Sequence, residues 1–277
     1  MLITYLIMTS KYTFPTRGAL IDRTWAAVAR YALSNVVFVS DAAIHTNANV
    51  WVCSMYAHAG WVNAQGRFVY ALLDAPVRNH SSVFLCDDDA FVNHRMVVQL
   101  ASQLDAAQPT IHSQLKCAIN AFCGGAGALF SPRFIELIRG PRRNLIEDAA
   151  RIIINDAKPY EPTLSNAVTL HGIGTLYHQA EFHSQPPAWY KVQSVDKDDA
   201  TGYEPISFHY VDEDHQQNGR TKYQCNSSCH QLYDSLFEQY YLRAYHPPSR
   251  PRRSWTFAEI RGRRLDATDD DLHCRAE

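Results

Sequence analysis

The sequence lacks a basic surplus: 26 Lys plus Arg stand against 28 Asp plus Glu, and 26 − 28 leaves a formal charge of −2 over 277 residues. Proteins that hold nucleic acid by bulk electrostatics carry a marked excess of Lys and Arg, so that class is excluded. Long apolar runs are missing too. The opening stretch, residues 1–8, is far short of the ~20 residues that span a bilayer. It has neither a basic leading region nor a small-residue cleavage site, and so does not read as a signal peptide. Nor is there a disulfide framework, because the seven cysteines (Cys53, Cys86, Cys117, Cys123, Cys225, Cys229 and Cys274) are odd in number and irregularly spaced. No internal repeat, Gly-Lys-Ser/Thr phosphate loop or G-x-G-x-x-G turn is found.

What is present is ordinary globular material. Hydrophobic residues make up 46% and charged residues 19%, which excludes disorder as the default and allows a sizeable core. Cys225-x3-Cys229 followed by His230 is compatible with half a zinc site, a local disulfide or two free thiols, and no second pair stands at matching spacing. The sequons Asn79-His80-Ser81 and Asn226-Ser227-Ser228 matter only in a secretory compartment. These signals lean towards the cytosol.

The first half alternates strand and helix patterns. Residues 2–8, 36–39 and 83–86 are short apolar runs, each ending in polar residues, as buried parallel strands do. Between them, residues 16–31, 62–73 and 93–104 carry apolar side chains at helical spacing. Repeated strand–helix–strand units predict an α/β fold: a mostly parallel sheet flanked by helices. Further on, helices are expected at 132–139, at 145–157 and from about 163, a strand at 206–211 and an aromatic-rich helix at 229–245. No linker divides the chain, so one domain is expected. From about residue 247, Pro and Arg followed by acids read as an arm or tail.

The most informative residues are Asp87, Asp88 and Asp89, three carboxylates directly after an apolar strand. Open α/β sheets bind ligands at that end of their strands. In extended geometry Asp87 and Asp89 share one face and repel unless a cation lies between them, and oxygen ligands suit Mg²⁺ or Mn²⁺. The alternative is a solvated acidic turn. Asp269-Asp270-Asp271 is the same tripeptide without a preceding strand, and there the solvated reading holds. Gly124-Gly125-Ala126-Gly127 allows close approach of another chain or a flat ligand, or simply makes a tight turn.

Taken in order, Thr16-Arg17, Thr24-Trp25, residues 38–41 (Phe-Val-Ser-Asp), residues 87–92 (Asp-Asp-Asp-Ala-Phe-Val), residues 124–127, Phe182-His183-Ser184 and residues 207–212 (Ser-Phe-His-Tyr-Val-Asp) resemble the Fringe-like glycosyltransferases. These belong to glycosyltransferase family 31, which includes the core 1 β1,3-galactosyltransferases. The resemblance covers about residues 3–212. It implies a Rossmann-like GT-A fold over residues 1–246, with 247–277 as the arm, and inverting transfer from a UDP-sugar to a glycan hydroxyl, usually forming a β1,3 linkage. Position by position, it implies that Asp89 ligates Mn²⁺ (or Mg²⁺), and that Asp87 and Asp88 lie nearest the ribose and sugar, with Asp87 a further metal ligand. His209 completes the metal site, with His183 as the other candidate. Gly124 and Gly125 pass close to the donor sugar, Ser40 and Asp41 close the nucleotide pocket, and Thr9 and Arg17 lie near the uracil or diphosphate.

The family's general base sits in a Pro-Asp-Asp-x-Thr stretch. Here the matching residues are Pro159, Tyr160, Glu161, Pro162 and Thr163, so Glu161 stands where the second aspartate would. Glutamate can perform the same proton transfer. Asp148, in a Glu-Asp pair 35 residues before His183, is the rival, and an ordinary helix-start acid remains open for Glu161. Trp189 and Tyr190 are sugar-stacking or packing residues. Two other functions stay in view: a metal-dependent phosphoesterase, and a catalytically inactive GT-A domain acting as a binding partner, which the altered base motif keeps open. Relatives are usually anchored Golgi enzymes, so the expected compartment is the cytoplasm for a soluble form or the Golgi lumen if an anchor has been removed.

Overall fold

The computed structural model describes residues 2–55, 60–115, 121–184 and 206–209. Contacts divide the chain into Met1–Phe237 and Glu238–Glu277, and every described residue lies in the first unit. The expectations for Trp189, Tyr190, residues 210–212, the helix at 229–245, the tail, the second sequon, Cys117, Cys225, Cys229 and Cys274 lie outside the described residues.

Three largely apolar strands form the centre. β1 (Ile3–Met8) is buried along its whole length, and β2 (Asn35–Ser40) and β4 (Ser82–Asp87) nearly so. Burial on both faces is what a continuous apolar run demands. β1 pairs in parallel with both neighbours, and β2 pairs in parallel with β3 (Val50–Val52). On the other side β7 (Ala128–Phe130) runs antiparallel to β4 and to β6 (Thr110–Ser113), and β8 (Thr175–His178) is parallel to β6. The seven-stranded order is β3-β2-β1-β4-β7-β6-β8. A mostly parallel sheet is therefore the observed one, with β7 the single reversed strand among those described.

Helices cover the sheet. The helical pattern from residue 16 resolves into a π-helical turn at Phe14–Gly18, then α1 (Ala19–Arg23) and α2 (Trp25–Tyr31). The break falls at Thr24, whose hydroxyl donates to the carbonyls of Leu20 and Ile21. A threonine that bonds back to the preceding turn competes with the helix for its own backbone. α3 (Trp61–Asp74) buries every residue from Gln65 to Leu73. It is sandwiched because α5 (Pro132–Arg139), α6 (Arg143–Asn155) and α7 (Tyr160–Leu170) pack against it. α4 (His94–Gln103) follows the aspartate triplet. The last described helix starts at Tyr160, ahead of the expected Thr163, since Pro162 is tolerated in a first turn whose N–H groups have no intrahelical partner.

A second, three-stranded sheet lies next to the triplet: β5 (Phe91–Val92), β10 (Ser207–Phe208) and β9 (Phe182–His183), with β10 in the middle. β10 is antiparallel to β5 and parallel to β9. This sheet joins the residues just after the aspartates to a segment more than a hundred positions later.

Candidate functional site

Strand register builds the site. Met8 lies opposite Asp87 across β1 and β4 and opposite Val39 across β1 and β2, and the Thr9 N–H donates to the Val39 carbonyl. The carboxyl ends of three central strands therefore bring Thr9, Ser40 and Asp87 into one row. Asp87 ends β4, and the chain turns there, with Ala90 N–H 3.3 Å from the Asp87 carbonyl. It then enters β5, which pairs with β10 and so brings in His209. The His209 N–H donates to the His183 carbonyl at 2.9 Å.

The imidazole reaches the aspartates. His209 Nε2 lies 3.2 Å from Asp89 Oδ1 and 3.8 Å from Asp87 Oδ2. One ligand atom from each of Asp87, Asp89 and His209 falls within 4.8 Å of the others. Two carboxylate oxygens and one imidazole nitrogen, with no thiolate, fit a divalent cation such as Mn²⁺ or Mg²⁺. Alternation along the strand is obeyed, since Asp88 points elsewhere. Its Oδ2 accepts from the hydroxyls of Thr9 and Thr13, both at 2.6 Å. Its Oδ1 faces Arg17 Nη1 at 3.5 Å, and the same nitrogen is 3.8 Å from Asp89 Oδ2. Asp88 is thus spent tying the loop after β1 to the triplet.

The electrostatics follow from this crowding. Burial, then repulsion from Asp89, raises Asp87 well above the ordinary carboxylate value. Burial also raises Asp88, against the pull of Arg17 and the two threonines. Burial would raise Asp89 as well, but His209 and Arg17 outweigh it and hold this carboxyl below the usual value. Burial opposes charge on His209, but Asp89 and Asp87 overcome it and push the imidazole up. The trio is a site built for positive charge.

The glycine segment forms one wall. A Cβ on Gly125 would lie 2.1 Å from His209 Cε1 and 2.3 Å from Nε2. On Gly124 it would lie 1.5 Å from the Tyr160 hydroxyl oxygen. The loop turns back at Gly127, which has φ +100° and donates its N–H to the Gly124 carbonyl at 2.9 Å. Ser207 bonds the Ala126 carbonyl, and Ser113 bonds those of Gly127 and Cys123. Cys123 is disulfide-bonded, a feature the cysteine spacing did not announce; Cys53 and Cys86 are free and buried.

The remaining candidates separate. Asp41 accepts from the Lys11 N–H at 3.0 Å and faces the Ser40 hydroxyl at 3.3 Å, at the strand ends beside Thr9. Glu161, in the first turn of α7, accepts from the Gly124 N–H and senses the charge on His209; burial raises its pKa. It therefore borders the trio. Asp148 lies half-exposed on α6 and pairs with Arg151 on the same helix. His183 stacks on Phe208, ring centroids 4.9 Å apart, and is not in the described metal trio. Sequence reading passed over Thr13 and Arg67. Arg67 is 4% exposed on α3 and interacts with Asp41 and Cys53. Its signal was the one cation in a largely apolar helix.

No protein-family model matches the chain, and no curated protein matches it. Among solved structures it is similar to the galactosyltransferase LgtC, solved with donor and acceptor sugar analogues: TM-score 0.50 and 10% identity, over 86% of this chain and 96% of that one. The fold is GT-A. It is also similar to the glycosyltransferase GlyE of Streptococcus pneumoniae TIGR4, with TM-score 0.49 and 13% identity over 91% of this chain and 66% of that one. A glycosyltransferase involved in glycosylation of the major capsid of PBCV-1 matches with TM-score 0.45 and 13% identity, over 86% of this chain and all of that one. At 10% identity the likeness to LgtC carries the fold alone. Asp87 ends the fourth strand in sequence, and open α/β sheets bind ligands outside that end of their strands.

Proposed function

We propose that this protein is a metal-dependent, inverting glycosyltransferase that moves a sugar from a UDP-sugar to a glycan hydroxyl, with a β1,3 linkage and Fringe-like kinship as the narrower reading. The observation that carries it is the convergence of Asp87, Asp89 and His209 at the end of a parallel strand in a GT-A fold. Asp89, Asp87 and His209 would hold Mn²⁺ or Mg²⁺, which when bound neutralises charge on a departing diphosphate. Arg17, with Asp41 and Ser40 at the strand ends, supplies the polar wall for the nucleotide. The sugar would lie along the loop of Gly124 and Gly125, which packs against Tyr160 and His209. Glu161 sits beside that wall. Its raised pKa makes it a better proton acceptor than an ordinary carboxylate, as a base facing an acceptor hydroxyl must be. Inversion then needs no covalent intermediate, because the hydroxyl attacks the anomeric carbon as its proton passes to Glu161.

The test is calorimetric titration of UDP with and without Mn²⁺, on wild type and Asp89→Ala. Mn²⁺-dependent binding lost in the variant supports the proposal. Equal UDP binding with and without the ion, or none in either condition, removes it.

A further inference from the structure

Asp89 spends both carboxylate oxygens on positive or donating partners, His209 at 3.2 Å on Oδ1 and Arg17 at 3.8 Å on Oδ2. The Arg17 side chain is 11% exposed and also faces Asp88 at 3.5 Å. Asp88 in turn is fixed by Thr9 and Thr13 at 2.6 Å, so the guanidinium faces a carboxylate anchored beside the trio. It comes from the π-helical turn at Phe14–Gly18, a backbone form that concentrates at functional sites.

This geometry has an electrostatic cost for a cation. A metal–oxygen bond of about 2.1 Å on Asp89 Oδ2, added to the 3.8 Å contact, would put a divalent ion no further than about 6 Å from the guanidinium. Even with the full dielectric of water, a +2/+1 pair at that separation weakens binding about tenfold. A diphosphate reverses the sign, because it is attracted to both charges. We propose that Arg17 is a built-in counter-cation that opposes binding of the metal alone and makes metal and diphosphate bind as a coupled pair. The inference rests on the metal and nucleotide reading above and deepens it. By linkage, the factor by which bound metal raises UDP affinity is the factor by which bound UDP raises metal affinity.

The experiment measures Mn²⁺ binding by loss of the free-ion electron-paramagnetic-resonance signal, at pH 8 and low ionic strength. It uses wild type, Arg17→Met, which keeps the apolar reach without the charge, and Arg17→Lys, which keeps the charge. UDP affinity at saturating Mn²⁺ is then measured by calorimetry on the same three proteins. The expected result is crossed. Arg17→Met binds Mn²⁺ alone about tenfold more tightly, yet binds UDP with Mn²⁺ at least tenfold more weakly, while Arg17→Lys stays near wild type in both. Unchanged or weaker Mn²⁺ binding in Arg17→Met overturns the inference but leaves the metal site standing, as does Arg17→Lys behaving like Arg17→Met. Absence of Mn²⁺ binding in all three proteins overturns the functional proposal and the inference with it.

Discussion

Replacing Gly125 by alanine separates a metal-site defect from a folding defect. The added Cβ would stand 2.1 Å from His209 Cε1, where ordinary contact begins at 3.4 Å. The ring must therefore retreat by about 1.3 Å (3.4 less 2.1), further than close packing absorbs without repositioning. Gly125 has no positive φ, so alanine costs little in backbone strain and the damage falls on the imidazole. His209 Nε2 is 3.2 Å from Asp89 Oδ1, and a shift of that size takes it out of the trio. Loss of ligand orientation typically lowers metal affinity by roughly 10- to 100-fold, so Gly125→Ala is expected to weaken Mn²⁺ binding at least tenfold with little change in melting temperature. Gly124→Ala is the control. Its Cβ would strike the hydroxyl of Tyr160, which stacks on Phe68 with centroids 4.2 Å apart in the core. That variant should lose about 1–3 kcal/mol of stability by overpacking, measured by urea denaturation. Mn²⁺ affinity in Gly125→Ala equal to wild type would refute the placement of His209.

Three further outcomes are expected. Glu161→Gln should lower turnover of a UDP-sugar by about 10²-fold or more while leaving Mn²⁺ and UDP affinity intact, whereas Asp148→Asn, altering a half-exposed pair with Arg151, should stay near the wild-type rate; equal effects on turnover would overturn the choice of base. Asp88→Ala should loosen the loop carrying Lys11 to Arg17, costing UDP affinity and about 2–4 kcal/mol of stability from two lost charged hydrogen bonds, seen in parallel by calorimetry and melting. His94, 5% exposed and bonded to the Tyr5 hydroxyl at 2.7 Å, is lowered by burial to about 4. Folded protein therefore binds fewer protons than unfolded protein between about pH 4 and 6.5, and stability falls as pH drops through that window. The stability gap between wild type and His94→Gln should shift by about 1.4 kcal/mol against wild type between pH 7.5 and 5.5; a constant gap would refute the assignment.

The apolar strands and the aspartate triplet were legible because their signal is local. A four-residue apolar run followed by three acids announces both a buried strand and what lies at its end. The sequence-derived fold class is the observed one. β3, β5, β6, β7, β8 and β9 were not anticipated, each being only two to four residues long. Reversal of β7 was also hidden, since strand direction is decided by pairing partners and not by the strand's own side chains. The motif order put His209 forward as the metal ligand with His183 as the other candidate. The packing of β10 between β5 and β9 brings the His209 ring to the carboxylates and lays the other on Phe208. Arg17 was anticipated near the diphosphate, but its contact with Asp89 depends on the π-helical turn, which no residue pattern announces.

The metal trio spans a long stretch of chain: His209 follows Asp89 by 120 residues (209 less 89). During synthesis at ~5–20 residues per second, a nascent chain with both aspartates translated must wait on the order of ten seconds before its third ligand exists. Any divalent ion met in that interval finds two repelling carboxylates and no imidazole. The three-stranded sheet that unites β5 with β10 is thus a late closure, and non-local closures of this kind are slow to form. If the trio holds an ion as proposed, high affinity for it would mark a chain translated at least to residue 209 and folded around its last-arriving ligand, and would serve as a readout of finished assembly.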